Sequence, residues 1–461
     1  MLGYFNFKAF HNQWLITNDW GEYAFLNEKE FHRLLQDQPQ TNTDLAQELS
    51  DRMFWTDESR EAFIRRGEHS LRDAESYLFD GTTLFILAVT NECNNRCVYC
   101  QAHGTARPER MSVKTAEKIL RRIAECPTRA ITIEFQGGEP FINFPVIRYV
   151  VEKAPEIMPE KAIAFTVVSN LLLMTDEIAD FLQTHHVSVS TSLDGPTALH
   201  DKNRPMENGR GSYAGLMKGL EILWKHQIAP GAIQTTTADS LQYPEEIIDT
   251  YLQLGFHQIF LRPLTRLGAA AQSWGRIGYT PEAFLTFYRR ALAYIIQKNL
   301  SGESLVEYHA ALFLSKILRN RSFNYMELRS PCGASLGQMA FTASGGVYTC
   351  DEGRMMAEMG DESFRLGNVF QNGYEEWIAS PCCKAVASAS LLETIPGCCD
   401  CVYKPYCGVC PVVNYALNGN ITTIAKDRCK IYAGILDILF EYLMEGKNEI
   451  VQLFMKWSDQ I

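Results

Sequence analysis

At 461 residues, with 46% hydrophobic and 21% charged residues, the chain has the length for two or three domains and the composition of a folded globular protein. Its formal net charge of −11 and the lack of a Lys/Arg-rich stripe argue against a nucleic-acid partner. No apolar run reaches the length of a membrane span, and Met1-Leu2-Gly3-Tyr4-Phe5-Asn6 lacks the features of a secretion signal. Fourteen cysteines in such a chain point to metal ligation in a reducing cytoplasm rather than to disulfides.

In chain order, residues 1–80 read as a small module. Strands are expected at 13–17 and 23–26, with the turn Asn18-Asp19-Trp20-Gly21 between them. Helical patterns follow at 28–35 and 43–52, with Thr43 as an N-cap. From 82 to 274, strand patterns at 84–90, 130–135, 163–169, 187–193, 232–237 and 258–263 alternate with helical ones such as 113–126 and 215–225. Alternation of this kind predicts a parallel sheet. Six units suggest a partial (β/α)6, TIM-like barrel, whose functional loops follow the C-terminal ends of the strands. Residues 275–330 read as a helical connector, with Pro281 near its first helix start. Residues 331–430 hold ten of the fourteen cysteines, and metal ligation rather than a large apolar core is expected to organise them. Residues 431–461 form a C-terminal helix whose apolar run at 431–444 packs back on the barrel.

The chemistry begins at Cys93, Cys97 and Cys100, a C-x3-C-x2-C run with aromatic Tyr99 before its last cysteine. A cubane 4Fe-4S cluster has four corners, and three thiolates leave one iron open. Ferredoxin runs supply a full set of thiolates, and zinc sites use paired C-x2-C knuckles. An open, low-potential iron suits reductive cleavage of S-adenosylmethionine, whose amine and carboxylate can chelate it. Gln136-Gly137-Gly138-Glu139-Pro140 follows the second strand. Its glycines let backbone approach a ligand closely, and Glu139 could accept a hydrogen bond from the methionine ammonium. Ser169-Asn170 ends the third strand and Ser192-Leu193-Asp194-Gly195-Pro196 the fourth. His200-Asp201-Lys202-Asn203-Arg204 comes next, and Leu261-Arg262-Pro263 ends the sixth strand.

These strings resemble the radical S-adenosylmethionine superfamily. The resemblance implies a 4Fe-4S cluster on Cys93, Cys97 and Cys100 that converts S-adenosylmethionine to a 5′-deoxyadenosyl radical. It also implies a cofactor-binding set of Tyr99, Gly137, Gly138, Glu139, Ser169, Asn170, Ser192, Arg204 and Leu261, with Leu261 closing over the adenine. In relatives carrying Ser-x-Asp-Gly-Pro followed by His-Asp-x-x-Arg, the serine and arginine contact the nucleoside or the carboxylate. That role carries to Ser192 and Arg204, where guanidinium–carboxylate pairing supplies the physics.

Seven later cysteines resemble, in order and spacing, the SPASM auxiliary-cluster domain of peptide-modifying radical enzymes. Only Gly408-Val409 separates the last two of the inner four, where relatives usually have three residues. The resemblance implies two auxiliary 4Fe-4S clusters. One is held by Cys398, Cys401, Cys407 and Cys429, the other by Cys332, Cys350 and Cys410 with its fourth ligand open. Residues 398–410 taken alone also fit a zinc ribbon. Asp351 stands where related maturases place an aspartate that takes a proton from the substrate, a reading that stands beside that of a solvated carboxylate. The N-terminal strands and helices resemble a winged-helix element that captures a leader peptide by strand addition. A cap over the barrel mouth is the other reading.

The strings 134–140, 192–205 and 259–263, with 18–23, are most similar to the His-Xaa-Ser system maturases. This implies a ribosomally made precursor peptide as substrate, a flavodoxin or ferredoxin as reductant, no nucleic-acid or membrane partner, and work under low oxygen. A sulfatase-type maturase forming formylglycine is the runner-up. A metal-stabilised peptide-binding scaffold without catalysis is the reading from another class.

Overall fold

The computed structural model describes residues 1–38, 43–102, 107–321 and 328–460. The chain opens with an antiparallel sheet of β1 (Asn6–Phe10), β2 (Gln13–Thr17) and β3 (Tyr23–Leu26), in that spatial order. β1 is an addition to the two expected strands. Its five residues carry too little alternation to be read alone, and a tight turn with His11 at φ 53° pins it to β2. The helix Glu28–Leu35 follows at once because Asn27 and Glu30 form a reciprocal cap: Asn27 Oδ1 accepts from the Lys29 and Glu30 amides, and Glu30 accepts from the Asn27 amide at 2.8 Å. Helices Thr43–Asp51 and Arg60–Ala74 complete this part. The expected Thr43 cap rests on a side chain outside the described set.

A second sheet organises the rest. Its strands are β4 (Leu84–Thr90), β5 (Ala130–Gly137), β6 (Ala162–Val168), β7 (Ser188–Ser192), β8 (Gly231–Thr235), β9 (Gln258–Arg262), β10 (Val306–Glu307), β11 (Gln338–Phe341), β12 (Gly346–Tyr348) and β13 (Arg365–Asn368). They lie in the order β10-β9-β8-β7-β6-β5-β4-β11-β12-β13. β4 to β11 pair in parallel, while β12 and β13 turn antiparallel. The α/β class and the parallel-rich sheet follow the alternation in the sequence. Three strands on the far side of β4 come from the cysteine-rich segment. Part of that segment is therefore built on an ordinary core, since Met339, Phe341, Val347 and Trp377 are all buried in the main apolar cluster. Short strands of three or four residues give too few positions for a period to show.

Register separates the two faces of β5–β9. One face carries Ile133, Phe135, Val167, Val189, Ile259 and Leu261, all buried with the surrounding helices. The other carries Glu134 beside Thr166, Thr166 beside Ser188, Ser190 beside Gly231, Ser192 beside Ile233, and Thr235 beside Arg262. These residues are half-buried or exposed. The inner face thus carries mostly Ser and Thr, with Glu134, Ile233 and Arg262 among them, and is less buried than the outer one, which explains why these strands alternate rather than read as continuous apolar runs. Among the described residues, no helix is long and apolar enough to cross a membrane.

Candidate active site

The cysteine loop begins where β4 ends, and β5 holds it there. The Gly138 amide donates to Thr90 O at 2.8 Å, and the Glu139 amide donates to Glu92 O at 2.8 Å. A Cβ on Gly138 would stand 2.1 Å from Glu92 O, and one on Gly137, at φ 131°, 1.9 Å from Thr90 O. The two glycines therefore let β5 close on the chain leading into the cysteines; the surface they approach is protein backbone. Beyond Cys93 the loop is stitched to the segment after β7, with Arg96 N donating to Pro205 O at 2.7 Å and Val98 N to Asn203 O at 2.9 Å.

Cys93, Cys97 and Cys100 are half-buried and free of disulfides. Burial pushes the Cys93 thiol up to about 11 and the Cys97 thiol up to about 12. The charges of the neighbouring cysteines add to both shifts, and Arg204 works against them. Cys100 acts on both of the others and Cys93 on Cys97, so the three sulfurs lie within electrostatic reach of one another. Cys93 Sγ accepts from the Asn95 amide at 3.4 Å and lies 3.9 Å from Asn170 Nδ2. Both polar atoms of the buried Asn95 side chain lack a partner among the described residues. Thiols with N–H donors, a nearby guanidinium and an orphaned amide suit an anionic, thiolate-held group.

A buried chain of hydrogen bonds stands behind this loop. Arg204 Nη1 donates to Tyr99 Oη at 2.7 Å, and Tyr99 Oη donates to the Asp194 carboxylate at 2.7 Å. Burial raises the Asp194 acid, opposed first by Arg204 and then by Tyr99. His200 accepts the Asp194 amide at Nδ1, 3.4 Å away, and meets Ser212 Oγ at Nε2, 3.1 Å away. Ser212 in turn donates to Arg204 O, so His200 is the Nε2–H tautomer. Burial lowers its pKa to about 3, with Arg204 adding to the effect, which keeps the ring neutral. Asp194, part of the string that ends the fourth strand, accepts from Tyr99 and stands within electrostatic reach of Arg204.

Glu139 is fully buried, and its oxygens accept from Ser169 Oγ at 2.8 Å, the Asn170 amide at 2.9 Å and the Phe141 amide at 3.1 Å. It braces the end of β5 against the end of β6. Burial lifts its acid to about 7 against the pull of these donors. Asn170 also donates to Asn94 Oδ1 at 2.7 Å. Ser192 is half-buried on the inner face. Leu261 departs from the expectation of a lid over adenine: its side chain is fully buried in the outer core, and its amide donates to Glu307 at 3.2 Å. The inner-facing neighbours are Phe260 and Arg262, because strand side chains alternate.

The later cysteines fall into two groups. Cys332, Cys350 and Cys410 are buried in one apolar cluster, and the Cys350 thiol is raised well above its usual value by burial, then by Glu352, Cys410 and Cys332. Cys398, Cys401, Cys407 and Cys429 line a cavity of about 590 Å³, which Cys410 of the first group also lines. Lys316 is buried beside it, donating to Tyr406 O at 3.0 Å, one peptide from Cys407, and to Leu328 O. Burial pushes its pKa down to about 7, with Cys407 pulling it back up. Among the described residues no group of three or more His, Cys, Asp or Glu side chains is assembled as a site for a single metal ion. A cubane asks for something different, since each thiolate binds its own iron. Cys126 is buried in the main core. Cys382 packs against the apolar cluster of Cys332, Cys350 and Cys410, and Cys383 is buried in the main core.

Asp351 opens the helix Asp351–Glu358, which is capped by Cys350 Sγ. Asp351 Oδ1 accepts from Arg354 Nε at 2.8 Å and Nη2 at 2.6 Å, and the fully buried Arg354 also pairs with Glu358. Glu134, which the sequence reading passed over, stands on the inner face beside Gln136, whose amide it accepts. Burial lifts its acid to about 7, opposed by Gln136 and helped by the charge of Asp351. A carboxylate in the middle of a central parallel strand was the available signal.

Residues 87–254 match the Radical SAM superfamily. The chain is similar to the serine-type anaerobic sulfatase-maturating enzyme of Klebsiella aerogenes, 27% identical over 40% of this chain and 49% of that one. It covers 63%, 50% and 62% of the length of three further relatives. In fold it is similar to native anSMEcpe with bound AdoMet, with a TM-score of 0.68 and 18% identity, covering 80% of this chain and 100% of that one. It is also similar to Streptococcus suis SuiB bound to precursor peptide SuiA, with a TM-score of 0.55 and 14% identity, covering 92% and 98%.

Proposed function

We propose that this chain, which carries a radical SAM domain, is an iron–sulfur oxidoreductase that modifies a residue of a ribosomally made precursor peptide, of the His-Xaa-Ser system kind. One observation carries the reading: three cysteines outside any disulfide follow the C-terminal end of β4, with the Arg204 guanidinium close enough to act on Cys93 and Cys97. When bound, a 4Fe-4S cluster with S-adenosylmethionine would supply a hydrogen-abstracting radical, and two C-terminal clusters an electron sink. Cys93, Cys97 and Cys100 would hold the first, and the two later cysteine groups the others.

The protein's own residues set the stage. Tyr99, Asp194 and Arg204 fix a positive charge beside Cys97. Glu139, Ser169 and Asn170 lock two loops in place. Ser192 lines the wall. Asp351, oriented by Arg354, would accept at its carboxylate the proton that leaves the substrate, and the crosslink or oxidation would remove two hydrogens in all. The N-terminal sheet would receive the leader peptide by strand addition, and a flavodoxin or ferredoxin would deliver the electron.

Anaerobic reconstitution followed by assay of 5′-deoxyadenosine tests the reading. Cys97→Ala should abolish nucleoside release while the C-terminal iron remains; release that survives this change would falsify it. The likeness to a sulfatase-maturating enzyme and the place of Asp351 next to Cys350 favour a second reading, oxidation of a cysteine or serine to formylglycine. Product mass separates them, because formylglycine from cysteine also loses sulfur.

A further inference from the structure

A cavity of about 470 Å³ lies between the end of β9, the loop that follows it, and the start of the helix Lys426–Glu445. Four cationic side chains line it, Arg262, Arg266, Lys426 and Arg428, against one acidic side chain, Asp427. In a chain of net charge −11, this is a local field of the opposite sign. Among the described residues, neither Arg266 nor Lys426 takes part in an ion pair. Arg266 instead lies 5.6 Å over the Trp274 ring, and Arg428 lies 5.0 Å from the Tyr432 ring.

The cavity also has an address. Phe260 and Arg262 belong to the inner face of β9, so one end meets the lumen. Arg262 reaches to 3.9 Å from Glu352, two residues past Cys350. Thr423, Ile424 and Lys426 line both this cavity and the four-cysteine one. The cations sit on two separate chain segments, and Trp274, Tyr279 and Leu264 are spaced along the same lining. That spacing suits an extended chain with alternating charged and apolar side chains.

We infer that this cavity docks an acidic segment of the substrate polypeptide, with its carboxylates against Arg266 and Lys426 and its apolar side chains on Trp274 and Tyr279. The neighbouring residue of that polypeptide is then delivered to the lumen. The inference rests on the peptide-modifying reading above and narrows its substrate to sequences with acidic residues flanking the modified one.

Fluorescence anisotropy on the anaerobically reconstituted full chain tests it. The probes are fluorescein-labelled short peptides of Glu, Leu and Tyr, with matched sets in which every Glu becomes Gln or Lys. The Glu set should bind about tenfold or more tighter than the Gln set, and added salt should weaken it. Arg266→Glu and Lys426→Glu should each weaken the Glu set by a similar factor, and Lys426→Glu should improve the Lys set. Equal binding of the Glu and Gln sets, binding of neither, or wild-type affinity in both variants overturns the inference. Peptide-free release of 5′-deoxyadenosine by wild type and both variants keeps the two readings apart. Normal release with charge-blind binding sinks the docking site alone. Charge-selective binding without any release supports the docking site and overturns the radical chemistry.

Discussion

At position 138 a single methyl group would meet the Glu92 carbonyl oxygen at 2.1 Å, with backbone on both sides of the collision. Gly138→Ala should therefore push the cysteine loop away from β5 and cost about 1–3 kcal/mol. Iron content after reconstitution should fall with it, and parallel thermal melts and iron assays check both. His200 offers a second test. Its folded pKa of about 3 lies below the ordinary 6.5, so its contribution to stability is complete above 6.5 and is lost as the pH falls towards 3. Glu139 and Glu307, lifted to about 7 by burial, act in the opposite sense: their contribution is complete below 4.5 and is lost as the pH rises through 7. Comparing wild type with His200→Gln isolates the imidazole. Urea unfolding from about pH 6 to about pH 5 should cost the wild type roughly 1.4 kcal/mol per unit more than the variant. The buried ammonium of Lys316 gives a third test. Its positive charge beside Cys407 favours added electrons on any cluster held there. Lys316→Met should make that cluster harder to reduce, and potentiometry followed by electron paramagnetic resonance should show a more negative midpoint.

Among the elements, the least expected feature is the extension of the parallel sheet by β11, β12 and β13. Trp377, fully buried against Phe341 with ring centroids 5.8 Å apart, seals that extension. Trp377→Ala should cost about 3–5 kcal/mol and should disturb the early strands along with the late ones, which hydrogen exchange at β4 would reveal. β5 to β9 were legible because each buries one face and leaves the other more open, so a period of two survives in the sequence, while β4, buried at every position, was legible as a short continuous apolar run. β10 through β13 were not, since two to four residues carry no period. The same contrast holds in the site. The thiols and the Gly-Gly-Glu-Pro turn are local strings. Asp194 and Lys316 act through partners that only folding brings near, Tyr99 and Arg204 for the one and the Leu328 and Tyr406 carbonyls for the other. The side chain of Leu261 lies in the outer core, and one position along the strand means the opposite face.

Across the whole molecule, the two ends of the chain are sewn together. Thr17 Oγ1 donates to Val402 O at 2.6 Å, Asn6 Nδ2 donates to Cys401 O at 3.1 Å, and Tyr406 Oη donates to Gly21 O at 2.9 Å. Lys404 pairs with Asp19 at 2.7 Å, and Lys8 with Asp437 at 2.6 Å. The N-terminal sheet is thus anchored to the very backbone that carries Cys401 and Cys407. Whatever rearranges those sulfurs must tug on β1 and β2 as well. A change in the loop that bears these two cysteines would loosen the leading strands before the central sheet came apart.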